Sequence, residues 1–370
     1  MELSPEAQTG PIAVYGASGY TGRLVAHELD RSGFEYRLAG RNPAKLASLA
    51  AELEGDPETF TVSVDDGPAL ESLMADCPVV VACAGPFTLH GEPVLRAAVE
   101  TGTHYLDTTG EQPFIQLAYE RYGGAALDND SAVIPAMGFD YVPGDMIAAL
   151  TAAGMGPLET IRLAYTTAFQ PTRGTMLSAL EMIKGGDLEW RDGGLNPASQ
   201  RIARGEFDFG PPTGTLAMTR YPAGEHLMVP RHIETDRVET MLSAESLLPE
   251  HLAPAMPLVA RPAGLLMRTP ARKAVGSLVE RLPEGASPEA RAAARFTIAC
   301  EAVGREQTRR GVISGHDVYG ITAAFITKGA LIAATGQLQE IGGLAPAQAF
   351  DPETFLAGFE RFSLTWSVSG

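Results

Sequence analysis

The stretch PIAVYGASGYTGRLVAHEL, residues 11–29, sets the reading of the whole chain. Its apolar IAVYG (12–16) predicts a short strand, and RLVAHELDRSG (23–33) a helix stopped by Gly33. Between them lies GASGYTG, with glycines at 16, 19 and 22 in a GxxGxxG spacing. Three glycines alone would suit any tight turn. A strand before them, a helix after them and a place at the head of a strand–helix series point to a phosphate-binding turn. Gly16 would allow the sharp bend and Gly19 a close approach of backbone to a pyrophosphate. Gly22 would let helix and strand pack closely, with the helix N-terminus facing the anion and Ser18 inside the turn.

The next 120 or so residues repeat that alternation. Strands are expected at EYRLAGR (35–41), FTVSVDD (60–66), PVVVACAGP (78–86), THYLDTTG (103–110) and SAVIPAMGF (131–139). Helices are expected at NPAKLASLAAEL (42–53), PALESLMAD (68–76), GEPVLRAAVETG (91–102) and QPFIQLAYERYGGAAL (112–127). Asn42 is a natural N-cap with Pro43 at the first helical position. Strands linked by helical crossovers define an α/β, doubly wound parallel sheet of order 3-2-1-4-5-6. That order sets strands one and four side by side at the switch point, where such sheets bind dinucleotides.

The tip of the second strand separates NAD from NADP. NAD binders place a carboxylate there to hold the ribose 2′-hydroxyl, whereas this strand ends in AGRN with Arg41 at the tip. A guanidinium suits a 2′-phosphate, so NADP(H) is the expected cofactor, with Arg41 and Asn42 at its phosphate end. Asp65, after the third strand, is a candidate for the adenine edge; an exposed capping role fits it equally. After the fourth strand, ACAGPF (82–87) would run toward the nicotinamide. Its small residues allow close approach, which makes Ala84, Gly85 and Pro86 candidate cofactor contacts.

Two further strand ends reach the same sheet edge. LDTTGE (106–111) brings Asp107 and Glu111, and GFDYVPGD (138–145) brings Asp140, Tyr141 and Asp145. Asp107, Asp140 and Tyr141 are candidates for orienting substrate or delivering a proton, and Tyr20 could reach the cofactor from the turn. The competing reading is that Asp140 braces its loop and Asp145 caps the next helix. None of the ten tyrosines has a lysine four positions on, so the Tyr-x-x-x-Lys pair of short-chain dehydrogenases is missing.

Composition narrows the function classes. A net charge of −17 makes nucleic acid an unfavourable partner. Cys77, Cys83 and Cys300 show no CxxC spacing, and the histidines no HxxxH or HExxH arrangement, so neither a disulfide framework nor a metal site is expected. The start, MELSPEAQTG, lacks signal-peptide character and no apolar run reaches membrane-spanning length, so a cytoplasmic protein is expected.

Past residue 150 the pattern changes. ETIRLAYTTAF (159–169), TLAMTRYP (215–222) and DRVETMLSA (236–244) alternate like half-exposed strands. RFTIACEAVG (295–304) and QTRRGVISG (307–315) suggest an antiparallel hairpin. GTMLSALEMIK (174–184), the proline-punctuated 245–282 and VYGITAAFITKGALIAATGQL (318–338) read as helical. The expectation is a Rossmann domain at 1–145 and an α+β substrate domain with a mainly antiparallel sheet at 146–317.

AVYGASGYTGRLVAHEL, AGRNPAKL, VVVACAGPFTLHGEPVLRAAVETGTHYLDTTGE and GFDYVPGDMIA together resemble the saccharopine dehydrogenase-like family, which includes saccharopine reductases and bacterial trans-acting enoyl reductases. The resemblance is dense over about 10–150 and thinner in RGTMLSALEMI, YGITAAFITKGA and GGLAPAQAFDP. It implies an N-terminal NADP-binding Rossmann domain against which the last part of the chain, 318–370, packs back. It also implies phosphate contacts at Gly16, Gly19, Tyr20, Thr21 and Gly22, a 2′-phosphate contact at Arg41, and nicotinamide-side contacts at Ala84, Gly85 and Pro86.

The expected function is an NADPH-dependent reductase of a polarised C=C bond, with a small-molecule or carrier-bound substrate and a homodimer left open. Reduction of a C=N bond is the alternative, although Arg173, Lys184, Arg191 and Arg201 are too scattered for a multi-carboxylate substrate. A non-catalytic NADP(H) sensor or scaffold remains a third reading.

Overall fold

The computed structural model describes residues 3–168, 170–185, 187–198, 204–247, 279 and 284–370. These form two compact units, one of residues 1–142 and 319–355, the other of residues 143–318 and 356–370.

The first unit is built on an all-parallel sheet. Its strands and helices alternate as β1 (Ile12–Tyr15), α1 (Tyr20–Ser32), β2 (Tyr36–Gly40), α2 (Pro43–Ala50), β3 (Glu58–Thr61), α3 (Gly67–Met74) and β4 (Val79–Ala82). They continue through α4 (Phe87–Glu100), β5 (His104–Asp107), α5 (Gln112–Leu117), a π-helical turn, α6 (Gly123–Asp128) and β6 (Ala132–Ile134). The observed order β3-β2-β1-β4-β5-β6 matches the order expected from right-handed crossovers. Ile12 pairs with Tyr36 on one side and Val79 on the other, so β1 lies at the centre. Every residue of β1 and β4 is buried, as helices on both faces of a parallel sheet require.

Local signals set several helix ends. Gly33 closes α1 in the left-handed region at φ 73°. The Asn42 side chain accepts the Lys45 N–H at 3.0 Å to start α2, and Asp66 accepts the Ala69 N–H at 3.1 Å to start α3. That second cap, with Ser63 bonding Asp65, turns the chain early and ends β3 at Thr61, short of the expected 66. The α4 helix begins at Phe87 rather than 91, because its first turn is capped by Glu111 from the loop after β5.

The last part of the chain divides between the two units. Helix Val318–Ala334 belongs almost wholly to the first, where Gly329 packs so closely on Leu106 and Met137 that a methyl group there would lie 3.0 Å from each. A seventh strand, β15 (Gly342–Gly343), extends the parallel sheet beside β6. Residues 356–370 instead join the second unit, so the expectation that all of 318–370 packs on the first domain is corrected for this segment. The reason is β16 (Thr365–Ser369), which pairs antiparallel with a second-unit strand.

The second unit opens with α7 (Val142–Ala152). Its large sheet contains β7 (Thr160–Thr167), β10 (Arg204–Asp208), β11 (Thr215–Arg220), β12 (Val238–Ser243), β13 (Arg295–Val303), β14 (Thr308–His316) and β16. The order is β10-β11-β12-β7-β13-β14-β16, antiparallel at every step except β12–β7. The hairpin expected at 295–315 is β13–β14. A small hairpin of β8 (Leu188–Arg191) and β9 (Gly194–Pro197), along with β10 and β16, was not legible as strand pattern. Helices α8 (Arg173–Gly185) and α9 (Glu225–Met228) also belong to this unit. The helical expectation for 245–282 and the residue Arg201 lie outside the described residues, apart from 245–247 and Val279.

Candidate functional site

The glycine turn joins two buried strand ends. Gly16 has φ +82°, a left-handed conformation, and a methyl group added there would lie 2.9 Å from both Cβ and N of Ala84. Two requirements therefore fall on Gly16, one of backbone conformation and one of space. A methyl group on Gly22 would meet the Gly16 carbonyl oxygen at 2.3 Å, which is why the helix rests directly on the turn. Gly19 is the N-cap of α1 and covers it with no side chain. The first intrahelical bond runs from Arg23 N–H to the Gly19 carbonyl at 2.9 Å, so the Thr21 and Gly22 amides lie ahead of the ladder. Ser18 is half-buried, with its hydroxyl 4.0 Å from where a Gly40 methyl would stand at the end of β2.

Arg41 follows β2 directly, is exposed, and forms no hydrogen bond or ion pair among the described residues. Its charge is felt by the Tyr15 phenol, whose pKa is raised chiefly by burial, then lowered by Arg41 and raised by Asp65. Asn42 uses its side-chain oxygen on the α2 cap. Asp65 is exposed and bonded to Ser63, while its neighbour Asp66 is the one that caps α3.

Past β4, half-buried Ala84 faces the glycine turn, Gly85 is exposed and Pro86 is the N-cap of α4. Proline offers no capping side chain, and Glu111 takes that part. One carboxylate oxygen accepts the Phe87 N–H at 2.8 Å; the other accepts the Thr88 N–H at 2.9 Å and the Thr88 hydroxyl at 2.5 Å.

Asp107 is fully buried, and its Oδ1 accepts the N–H groups of Thr109 and Ala136, each at 2.8 Å. Its Oδ2 and the Tyr105 hydroxyl interact with each other and find no other partner among the described residues. Burial pushes the Asp107 carboxyl up to about 7, against the pull of the two amides and of the Tyr105 hydroxyl. Asp140 and Tyr141 converge on Gly110, where a methyl group would lie 3.6 Å from Asp140 Oδ2 and 4.0 Å from the Tyr141 hydroxyl. Their roles separate there. Tyr141 is fully buried and donates to the Gly110 carbonyl at 2.7 Å, as a brace would. Asp140 is half-buried, with its carboxyl pushed up to about 6 by burial alone.

Helix Val318–Ala334 supports both parts of this edge. Tyr319 meets the Tyr20 ring edge-on at 5.3 Å, and the Thr322 hydroxyl accepts the Phe139 N–H at 2.9 Å. Sequence reasoning missed these supports, as it missed the role of Glu111. In the second unit, buried Asp145, in the first turn of α7, meets the His232 ring at 2.7 Å. Arg173 pairs with Glu284 and Arg191 with Glu189, so both cations are already partnered. The Cys83 and Cys300 thiols are pushed up to about 12 by burial, which leaves them unreactive at neutral pH. No cluster able to hold a metal ion occurs among the described residues, and no helix among them is long and apolar enough to cross a membrane.

A glycine turn between β1 and α1, at the switch point of a parallel sheet, is the site of a Rossmann-type dinucleotide-binding protein. Residues 12–133 match the saccharopine dehydrogenase NADP binding domain. A trans-acting enoyl reductase of Mycobacterium tuberculosis is 34% identical over 149 residues, 39% of this chain and 36% of that relative. A saccharopine dehydrogenase-like oxidoreductase of Mus musculus is 29% identical over 161 residues, 39% of this chain and 38% of that one. The matches thus span little more than a third of these relatives. The fold as a whole is shared with the saccharopine dehydrogenase (L-Glu forming) of Saccharomyces cerevisiae, at a TM-score of 0.61 and 14% identity over 98% of this chain and all of that one.

Proposed function

We propose that this chain is an NADPH-dependent oxidoreductase that reduces the polarised C=C bond of a small-molecule or carrier-bound intermediate. The observation that carries the reading is the pairing of an open glycine turn with the unpaired cation Arg41 at the next strand tip. The residues fit the cofactor. The turn is closed to any side chain at Gly16 and Gly22, and the uncapped start of α1 suits a pyrophosphate. Gly16, Ser18, Gly19, Tyr20, Thr21 and Gly22 would hold that group, Arg41 and the Asn42 backbone the 2′-phosphate, and Asp65 would border the adenosine. Ala84, Gly85 and Pro86 would border the nicotinamide, which supplies hydride chemistry when bound.

Asp140 is the proton donor in this reading. Its partial exposure gives access, and a carboxyl raised to about 6 keeps a protonated fraction near neutral pH. Tyr141 and Asp107 hold the loops around it, and Tyr20 is held through Tyr319. The preference for C=C over C=N rests on the enoyl reductase relatives and on the pairing of Arg173 with Glu284 and of Arg191 with Glu189.

The test follows NADPH absorbance with panels of enoyl thioesters and cyclic imines. Consumption with enoyl substrates supports the proposal, and consumption only with imines replaces it by C=N reduction. Tight NADPH binding without turnover on either panel would favour a sensor.

A further inference from the structure

A continuous run of hydrogen bonds lies beneath the strand ends of the first unit. Ala136 N–H and Thr109 N–H donate to Asp107 Oδ1, both at 2.8 Å. The Thr109 hydroxyl oxygen accepts the Glu111 N–H at 3.1 Å, and the Glu111 carboxylate receives the amides of Phe87 and Thr88 and the Thr88 hydroxyl. Asp107, Thr109 and Glu111 are each no more than 1% exposed. A buried carboxylate is costly unless its oxygens are satisfied, and Glu111 is satisfied by the first turn of α4. The positive end of that helix adds to the attraction.

The placement of this clamp is unusual for a helix cap. Caps are ordinarily local, a Ser, Thr, Asp or Asn at the N-cap position. Here that position is Pro86, and the capping carboxylate comes from Glu111, 24 residues beyond Phe87. The Ala84–Pro86 loop is therefore held at both ends: Ala84 abuts Gly16 and the glycine turn, and the two residues after Pro86 are gripped by Glu111. Gly85, exposed and without a side chain, has nothing of its own to fix it.

We propose that Glu111 is a positioning residue for the nicotinamide half of the cofactor, acting by fixing the Ala84–Pro86 loop through Phe87 and Thr88. This rests on the NADPH reading above. Loss of the clamp would let the first turn of α4 fray and the loop move, leaving the adenosine end, held by Arg41 and the glycine turn, as it was. A displacement of about 1 Å at such a loop is enough to matter for a hydride acceptor.

The experiment compares two probes by calorimetric titration of the full chain. NADPH carries the nicotinamide, and 2′,5′-ADP carries only the adenosine end with its 2′-phosphate. Glu111→Gln should weaken NADPH about tenfold and leave 2′,5′-ADP unchanged, since charge-assisted bonds to the helix amides are lost. Thr88→Val, which removes only the hydroxyl donor, should weaken NADPH about threefold, and Thr88→Ser should restore it. The threonine pair decides the matter if Glu111→Gln does not fold. Equal weakening of both probes, no change in either, or failure of serine to rescue would overturn the proposal. Wild-type protein that binds neither probe would instead remove the NADPH reading beneath it.

Discussion

Asp107 accepts the backbone N–H of Ala136 at 2.8 Å, tying the end of β5 to the loop that follows β6. Ala136 lies at φ +62°, a left-handed conformation that a non-glycine residue holds only when its surroundings require it. This bond and the matching one from Thr109 set the path of the chain toward Asp140. Asp107 thus supports the loops of the candidate site from within.

The same residue gives a pH dependence of stability. Burial raises the folded-state carboxyl to about 7, with Tyr105, Cys83 and Glu111 as its titratable neighbours, whereas an unfolded aspartate titrates near 4. A raised folded pKa gives stability that is full below the unfolded pKa and lost as pH rises through the folded one. Between pH 5 and 8, unfolding free energy should fall by roughly 1–3 kcal/mol from this group. Asp107→Asn, which stays neutral and can still accept both amides, should remove that slope. Denaturant titrations at several pH values give the comparison, and parallel curves for the two proteins would count against it.

Arg41→Ala should separate the two nicotinamide cofactors. Losing a guanidinium from a 2′-phosphate should weaken NADPH about 10- to 100-fold and change NADH by less than about twofold. Fluorescence titration with each cofactor measures this, and equal losses would rule out the 2′-phosphate contact.

Asp140→Asn should lower kcat about 10²- to 10⁴-fold with NADPH affinity retained, as expected for loss of a general acid. Because the acid form is the active one and the carboxyl titrates near 6, wild-type kcat should decline as pH rises above that value. A pH–rate profile unchanged by the substitution would exclude Asp140 as the donor.

Gly22→Ala probes the turn without touching charge. Its methyl group would lie 2.3 Å from the Gly16 carbonyl oxygen and 2.8 Å from Ala17 Cα, so helix and turn must separate. Overpacking of this kind costs about 1–3 kcal/mol, and Tm should fall accordingly. Cofactor binding should weaken too, because the turn and the start of α1 move together. An unchanged Tm would mean that the turn yields more readily than its contacts indicate.

The amino-acid sequence by itself determined the succession of strands and helices in the first unit, the glycine turn, the Asn42–Pro43 helix start and the cation at position 41. Each is written in a few neighbouring residues, where periodicity, capping and backbone freedom act locally. Only the tertiary structure decided that α4 starts at Phe87, that Asp107 and Tyr141 brace loops while Asp140 is half-buried, and that the tail divides at residue 356. The contacts responsible join residues 24 to 31 apart for Glu111, Asp107 and Tyr141, and 183 apart for Phe139 and Thr322. A carboxylate's burial, its partners and hence its affinity for a proton depend on which distant backbone amides the fold brings to it.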